Sequence, residues 1–128
     1  MCRILVIDDE YGILHLIREA LTRNGHRVET AANGREGIQK FDEGTFDLVI
    51  TDILMPLVDG NGVVQHIRQH GRQEIPVIGI SGTPWLSEQS DFDLVLAKPF
   101  RLQTLVESVS ALSRADTRMA TSVQGGYA

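Results

Sequence analysis

Leu48-Val49-Ile50-Thr51-Asp52, followed by Ile53-Leu54-Met55-Pro56 and then Asp59-Gly60, is the stretch on which the reading of this chain turns. A short apolar run bounded by turn residues reads as a buried strand, and its last position carries a carboxylate. Three other runs end in the same way. Ile4-Leu5-Val6-Ile7 ends in Asp8-Asp9, Val77-Ile78-Gly79-Ile80 ends in Ser81, and Leu94-Val95-Leu96-Ala97 ends in Lys98-Pro99. Strands with apolar residues on both faces belong to parallel sheets covered by helices on both sides. In such sheets ligands bind in the crevice outside the carboxyl ends of the strands. Asp8, Asp9, Asp52, Ser81 and Lys98 are therefore expected to converge on one small site.

Between the runs lie segments of helical period. Ile13, Leu14, Ile17 and Leu21 share a face after Tyr11, with Asn24-Gly25 as the stop. Arg27 to Ala31 alternates like a short, partly exposed strand. Arg35 to Glu43 carries Ile38 and Phe41 as anchors, and Asn61 to His70 carries Val63, Val64 and Ile67, with Gly71 at its end. Leu102, Leu105, Val106, Val109 and Leu112 mark a last helix. Right-handed crossovers then give an α/β fold, a flavodoxin-like, doubly wound, five-stranded parallel sheet. Order 2-1-3-4-5 follows from placing the most polar strand, the second, at an edge, which sets the switch point beside Asp8, Asp9 and Asp52. Residues 1–114 form the domain, and 115–128, where periodicity is lost, are expected to be a disordered tail.

Composition narrows the function classes. The chain has 128 residues, 42% of them hydrophobic and 23% charged, with a net charge of −5. Its pI near 5.3 and the lack of Lys/Arg runs argue against a nucleic-acid face. No apolar stretch is long enough to span a membrane. A lone Cys2 fits a reducing compartment, and no signal pattern follows Met1, so a cytoplasmic location is expected.

Each strand-end residue also has a plain structural reading. Asp8-Asp9 would suit a helix cap, Asp52 a turn, Ser81 a local hydrogen bond and Lys98 a solvated charge. Their arrival together at one end of four strands favours a common purpose. Carboxylates packed at 4 Å repel by about 4 kcal/mol per pair at an effective dielectric near 20, so they need a cation or a raised pKa. Magnesium takes oxygen ligands and works with phosphate. A carboxylate can then act as nucleophile and form an acyl phosphate, with lysine and serine contacting the phosphoryl oxygens.

The motifs Val6-Ile7-Asp8-Asp9-Glu10, Asp52-Ile53-Leu54-Met55-Pro56 with Asp59-Gly60, Ser81, and Lys98-Pro99-Phe100 resemble the receiver domains of two-component response regulators. The resemblance runs from about Arg3 to Arg114. It implies that Asp52 is the phosphoacceptor and that Asp8, Asp9, Asp52 and the backbone carbonyl of Leu54 hold Mg2+. It also implies that Ser81 is the switch hydroxyl and Lys98 the phosphate-contacting lysine, with a Lys98-Pro99 bond that is often cis. The implied donor is a sensor histidine kinase or a histidine phosphotransfer protein. The implied output is contact with a downstream protein target, with a homodimer as one form of it, and no separate substrate is turned over.

The departures from the family pattern carry information too. Val95 stands where an aromatic switch residue is common. The segment from Ser81 to Lys98 is about one helical turn shorter than usual, so the fourth helix is expected to be short, displaced or disordered. Within it, Trp85 is read either as the anchor of a loop ordered by phosphorylation or as a lid on the core. Leu54 and Thr83 occupy positions that influence dephosphorylation, and an apolar Leu54 cannot orient water, so a long-lived phosphoryl group is expected. The leading reading is a single-domain response regulator. The alternatives are a receiver excised from a hybrid kinase or larger regulator, and a pseudo-receiver that never cycles. A phosphatase using an aspartyl phosphate is disfavoured for want of a second acid. His66 and His70, four apart on a helix, lack a metalloprotease motif and read as a solvated face.

Overall fold

A computed structural model describes residues 1–70, 74–82 and 91–121, with the backbone alone from 114 onward. The elements are β1 (Arg3–Ile7), α1 (Tyr11–Arg23), β2 (Arg27–Ala31), α2 (Gly34–Glu43), β3 (Leu48–Asp52), α3 (Gly60–Gln69), β4 (Val77–Ser81), β5 (Leu94–Ala97) and α4 (Leu102–Thr121). All strand pairs are parallel, and the sheet order is β2-β1-β3-β4-β5. This is the doubly wound topology expected from the sequence.

The two faces of the sheet bury two apolar layers. On one, Leu5, Ile7, Val49 and Val77 meet Phe41 of α2 and Val63, Val64 and Ile67 of α3. On the other, Ile4, Val6, Ile50, Ile78 and Ile80 meet Leu14, Ile17 and Leu21 of α1 and Leu105 and Val109 of α4. Alternate residues of one strand feed opposite layers, which is why β1, β3 and β4 are apolar throughout. Each such side chain, once buried, contributes about 1.5–3 kcal/mol. β2, which alternates between exposed and half-buried before Ala31, lies at an edge as its polarity requires.

The helix ends follow local chemistry. At the end of α1, Gly25 adopts φ +89°, and the N–H groups of Gly25 and His26 donate to Thr22 O and Leu21 O at 3.0 and 3.2 Å. That is the paired bond pattern of a Schellman stop. Asn33 accepts from Glu36 N–H at 2.8 Å at the start of α2, and Asp59 accepts from Gly62 N–H at 3.0 Å at the start of α3.

Two boundaries differ from the sequence reading, and a third expectation falls outside the described residues. α3 ends at Gln69, with His70 as its C-cap, and Gly71 lies outside the described residues. The fourth helix expected between β4 and β5 falls on residues 83–90, also outside the described residues, so α4 here is the helix after β5. α4 runs on to Thr121, past Arg114 where apolar periodicity stops. Ala115, Arg118, Met119 and Ala120 are strong helix formers, so the backbone does not need an apolar face to continue.

Candidate phosphoryl and metal site

β1 and β3 are hydrogen-bonded neighbours, with Ile7 opposite Thr51, so the residues just past them share one crevice. One carboxylate oxygen from each of Asp8, Asp9 and Asp52 lies within 4.8 Å of the others. Asp8 and Asp52 are buried, at 1% and 4% exposure, while Asp9 is exposed. Lys98 reaches in from the end of β5 and sets its Nζ 3.4 Å from Asp52 Oδ2. Its backbone N–H donates to Ser81 O at 2.8 Å, tying the ends of β4 and β5 together. Ser81 itself is buried at the end of β4, opposite Ala97.

Asp8 and Asp9 do not cap the first helix. Glu10 holds the N-cap position of α1. Asp8 Oδ1 accepts from Glu10 N–H at 2.9 Å, and Asp8 Oδ2 is buried with no hydrogen-bond partner among the described residues. An unsatisfied buried oxygen is rare in native proteins and calls for a reason. Burial, with the Asp52 charge adding to it against the Glu10 N–H and Lys98, pushes the Asp8 carboxyl up to about 6. Burial likewise raises Asp52, against the opposing pull of Lys98. Burial disfavours the Lys98 ammonium, yet Asp52, Asp8 and Glu10 outweigh it and hold its pKa above the ordinary value. The donor set is hard, all oxygen and net anionic, with one lone pair site left open, and that fits a magnesium ion.

The loop after β3 is fixed by close approach. Gly60 N–H donates to Ile53 O at 2.8 Å, and a Cβ on Gly60 would lie 2.7 Å from both Asp52 O and Ile53 Cα. Gly34 presses on Val58 from the other side, and Leu57 turns the loop with φ +67°. Leu54 projects into solvent, 76% exposed, two residues beyond Asp52. The Lys98-Pro99 bond is cis. Val95 is half-buried against the α2/α3 layer, where Phe92 is also buried. Thr83 and Trp85 lie outside the described residues.

Two participants had no role in the sequence reading. Glu10 Oε1 lies 3.5 Å from Lys98 Nζ, a contact announced only by a glutamate at a cap position that prefers shorter side chains. Phe92 fills the space above Gly79, where a Cβ would meet its ring at 3.0 Å. His66 is not a solvated residue: its side chain is 19% exposed and its Nε2 sits 2.8 Å from Asp42 Oδ1. Asp8, Asp9 and Asp52 form the one group of three or more such side chains close enough to share a metal among the described residues. None of the described helices is long and apolar enough to cross a membrane.

Comparison with known proteins agrees with this geometry. The profile of the response regulator receiver domain matches residues 4–110. The transcriptional regulatory protein TcrA of Mycobacterium tuberculosis is 35% identical over 117 residues, which are 88% of this chain and 46% of TcrA. The response regulator MprA of Mycolicibacterium vanbaalenii is 33% identical over 120 residues, covering 90% of this chain and 52% of MprA. The chain thus spans about half the length of the curated relatives it matches. Among solved structures, TrrA of Thermotoga maritima in complex with Mg2+ and BeF is 37% identical with a TM-score of 0.79, covering 88% of this chain and 99% of that one. The receiver domain of the hybrid histidine kinase CckA is 32% identical with a TM-score of 0.74, covering 87% and 98%. On the matched profile, the shared topology and the acidic crevice at its switch point, the chain belongs to the response regulator receiver domain family.

Proposed function

We propose that this receiver is a phosphorylation switch, with Asp52 as phosphoacceptor and Mg2+ as its cofactor. The observation that carries the reading is the buried Oδ2 of Asp8, without a partner among the described residues, beside Asp9 and Asp52, with Lys98 Nζ 3.4 Å from Asp52. Asp8, Asp9 and Asp52, with the backbone carbonyl of Leu54, would hold the ion. When bound, Mg2+ supplies positive charge against the carboxylates and the phosphoryl oxygens. The solved TrrA complex with Mg2+ and BeF supports this assignment by likeness.

An Asp52 oxygen forms its bond to phosphorus as the donor's bond to phosphorus breaks, and the electron pair leaves with the donor. From a phosphohistidine the leaving group is the imidazole, and from acetyl phosphate it is acetate. Lys98 Nζ stands beside Asp52 Oδ2, where it neutralises a phosphoryl oxygen, and the Ser81 hydroxyl donates to another. The chain assists its own phosphorylation and dephosphorylation and turns over no separate substrate. Its donor is a sensor histidine kinase or a histidine phosphotransfer protein in the cytoplasm, and its signal passes by protein contact.

Intact mass after incubation with Mg2+ and acetyl phosphate tests the assignment. One added phosphoryl group on the wild type and none on Asp52→Asn is the expected result. Addition to both proteins would mean another acceptor, and addition to neither would favour a receiver that does not cycle. A second reading is favoured by one observation, that TcrA and MprA are about twice as long as the matched region. In that reading the receiver controls a further output domain of a transcriptional regulator. The mass of the endogenous protein in its source cell separates the two readings.

A further inference from the structure

Lys98 is shared between two carboxylates of different character. Its Nζ lies 3.4 Å from Asp52 Oδ2 and 3.5 Å from Glu10 Oε1. The Asp52 side chain is 6% exposed and walled in, whereas that of Glu10 is 62% exposed at the rim. Glu10 occupies the N-cap of α1 in extended backbone but makes no side-chain cap bond. Short side chains cap helices because they reach back to the first free N–H groups. The extra methylene of glutamate carries this carboxylate past the helix end and across to the β5 terminus. The Glu10 N–H meanwhile holds Asp8 Oδ1. One residue therefore touches both the buried acid and the lysine.

Resting on the phosphoacceptor reading above, we propose that Glu10 is a positioning residue for Lys98. In the unphosphorylated protein it draws the ammonium toward the rim and away from full pairing with Asp52, and it gives the ammonium up when a phosphoryl group arrives. The direction follows from charge and burial. An aspartyl phosphate places more negative charge deeper in the crevice, where screening is weaker, while an exposed ion pair is weak and sensitive to salt. Glu10 is thus a brake on phosphorylation that the product itself releases.

The test compares wild type, Glu10→Gln and Glu10→Asp with acetyl phosphate and Mg2+, following phosphorylation by intact mass. Aspartate keeps the charge but is short and favoured as a cap, so it separates pairing from net charge. Both variants are expected to react about two- to fivefold faster than wild type at low salt, with the gap closing at high salt. Equal rates for wild type and Glu10→Gln would overturn the proposal, as would a Glu10→Asp rate equal to wild type beside a fast Glu10→Gln. A second readout is independent of turnover. Carbodiimide activation of the carboxyl lets Lys98 Nζ form an amide with Glu10, the activating group leaving as a urea. Peptide mapping should find this crosslink in the protein with Mg2+ alone and lose it when beryllofluoride is added. Persistence of the crosslink, or its absence throughout, would overturn the proposal. Failure of all three proteins to accept a phosphoryl group, with the crosslink formed, would overturn the phosphoacceptor reading and the release step that rests on it.

Discussion

Both ends of the sheet hold charge, and they treat it in opposite ways. At the amino ends of β4 and β5, Arg68 of α3 donates to Ile75 O at 2.6 Å, to Asp91 O at 2.8 Å and to Asp93 Oδ2 at 2.9 Å. Asp93 Oδ2 also accepts from Val77 N–H at 2.7 Å. That guanidinium stitches α3 to the starts of two strands, with each of its three nitrogens in a hydrogen bond. At the carboxyl ends, Asp52 and Glu10 share the Lys98 ammonium, Asp8 and Asp9 crowd beside Asp52, and Asp8 Oδ2 has no partner among the described residues. A satisfied charge holds a fold together, while a buried and unsatisfied one stores the capacity to bind. The contrast separates architecture from function within a single sheet.

Breaking the saturated end should have the largest effect on stability. Arg68→Ala removes charge-assisted bonds to two backbone carbonyls and a carboxylate, and is expected to cost about 2–4 kcal/mol in urea unfolding. Mg2+ affinity of the folded variant should stay within about twofold of wild type. A large loss of affinity would show that the two ends are coupled.

The unsatisfied end should respond with the opposite sign. The Asp8 carboxyl, pushed up to about 6 from an ordinary 3.8, keeps a proton that the unfolded chain gives up. Its contribution to stability is therefore fully present below pH 3.8 and is lost as pH rises through about 6. Asp8→Asn keeps the acceptor for Glu10 N–H but not the charge. It should stabilise the metal-free protein at pH 7 by about 2–3 kcal/mol and flatten the fall between pH 4 and 6. A destabilised Asp8→Asn with an unchanged pH profile would contradict the electrostatic account.

Two smaller changes sharpen the comparison. Gly60→Ala forces a Cβ against Asp52 O and Ile53 Cα, so it should cost about 1–3 kcal/mol and weaken Mg2+ binding together, because it displaces the backbone of the site itself. Stability loss with intact Mg2+ affinity would show that the loop yields without moving Asp52. Leu54→Asn, at an exposed position, should leave stability within about 0.5 kcal/mol. It should speed loss of the phosphoryl group by a few-fold, since an amide can orient water where leucine cannot. Slower loss than wild type would refute that role.

The sheet order and the crevice were legible because they depend on local patterns. Apolar runs of strand length, helical spacing between them and a polar residue at each strand end together specify the winding and its switch point. Asn24-Gly25 announced its helix stop for the same reason. What the sequence hid depends on distant partners. Glu10 meets Lys98, Arg68 meets Asp91 and Asp93, and Phe92 fills the space left by Gly79 only once the sheet is assembled. Val95 was read by its position alone, and only packing reveals that Phe92 supplies an aromatic ring to the same layer. His66 was misjudged because periodicity places it at the margin of α3 and says nothing of Asp42 on α2. The far end of α4 was hidden for a different reason, since helix propensity leaves no apolar signature there.

The most direct test of the central claim is Mg2+ affinity as a function of pH, by calorimetric titration of the whole chain. If the crevice holds carboxylates in waiting for a cation, Mg2+ must displace a proton once the pH falls below the Asp8 value of about 6. Affinity should then be nearly constant from pH 7 to 8 and drop about tenfold per unit well below 6, with proton release measurable from the buffer dependence of the heat. In Asp8→Asn both the affinity and its pH dependence should collapse. A wild-type affinity that stays flat from pH 8 to 5, or equals that of Asp8→Asn, would contradict the account.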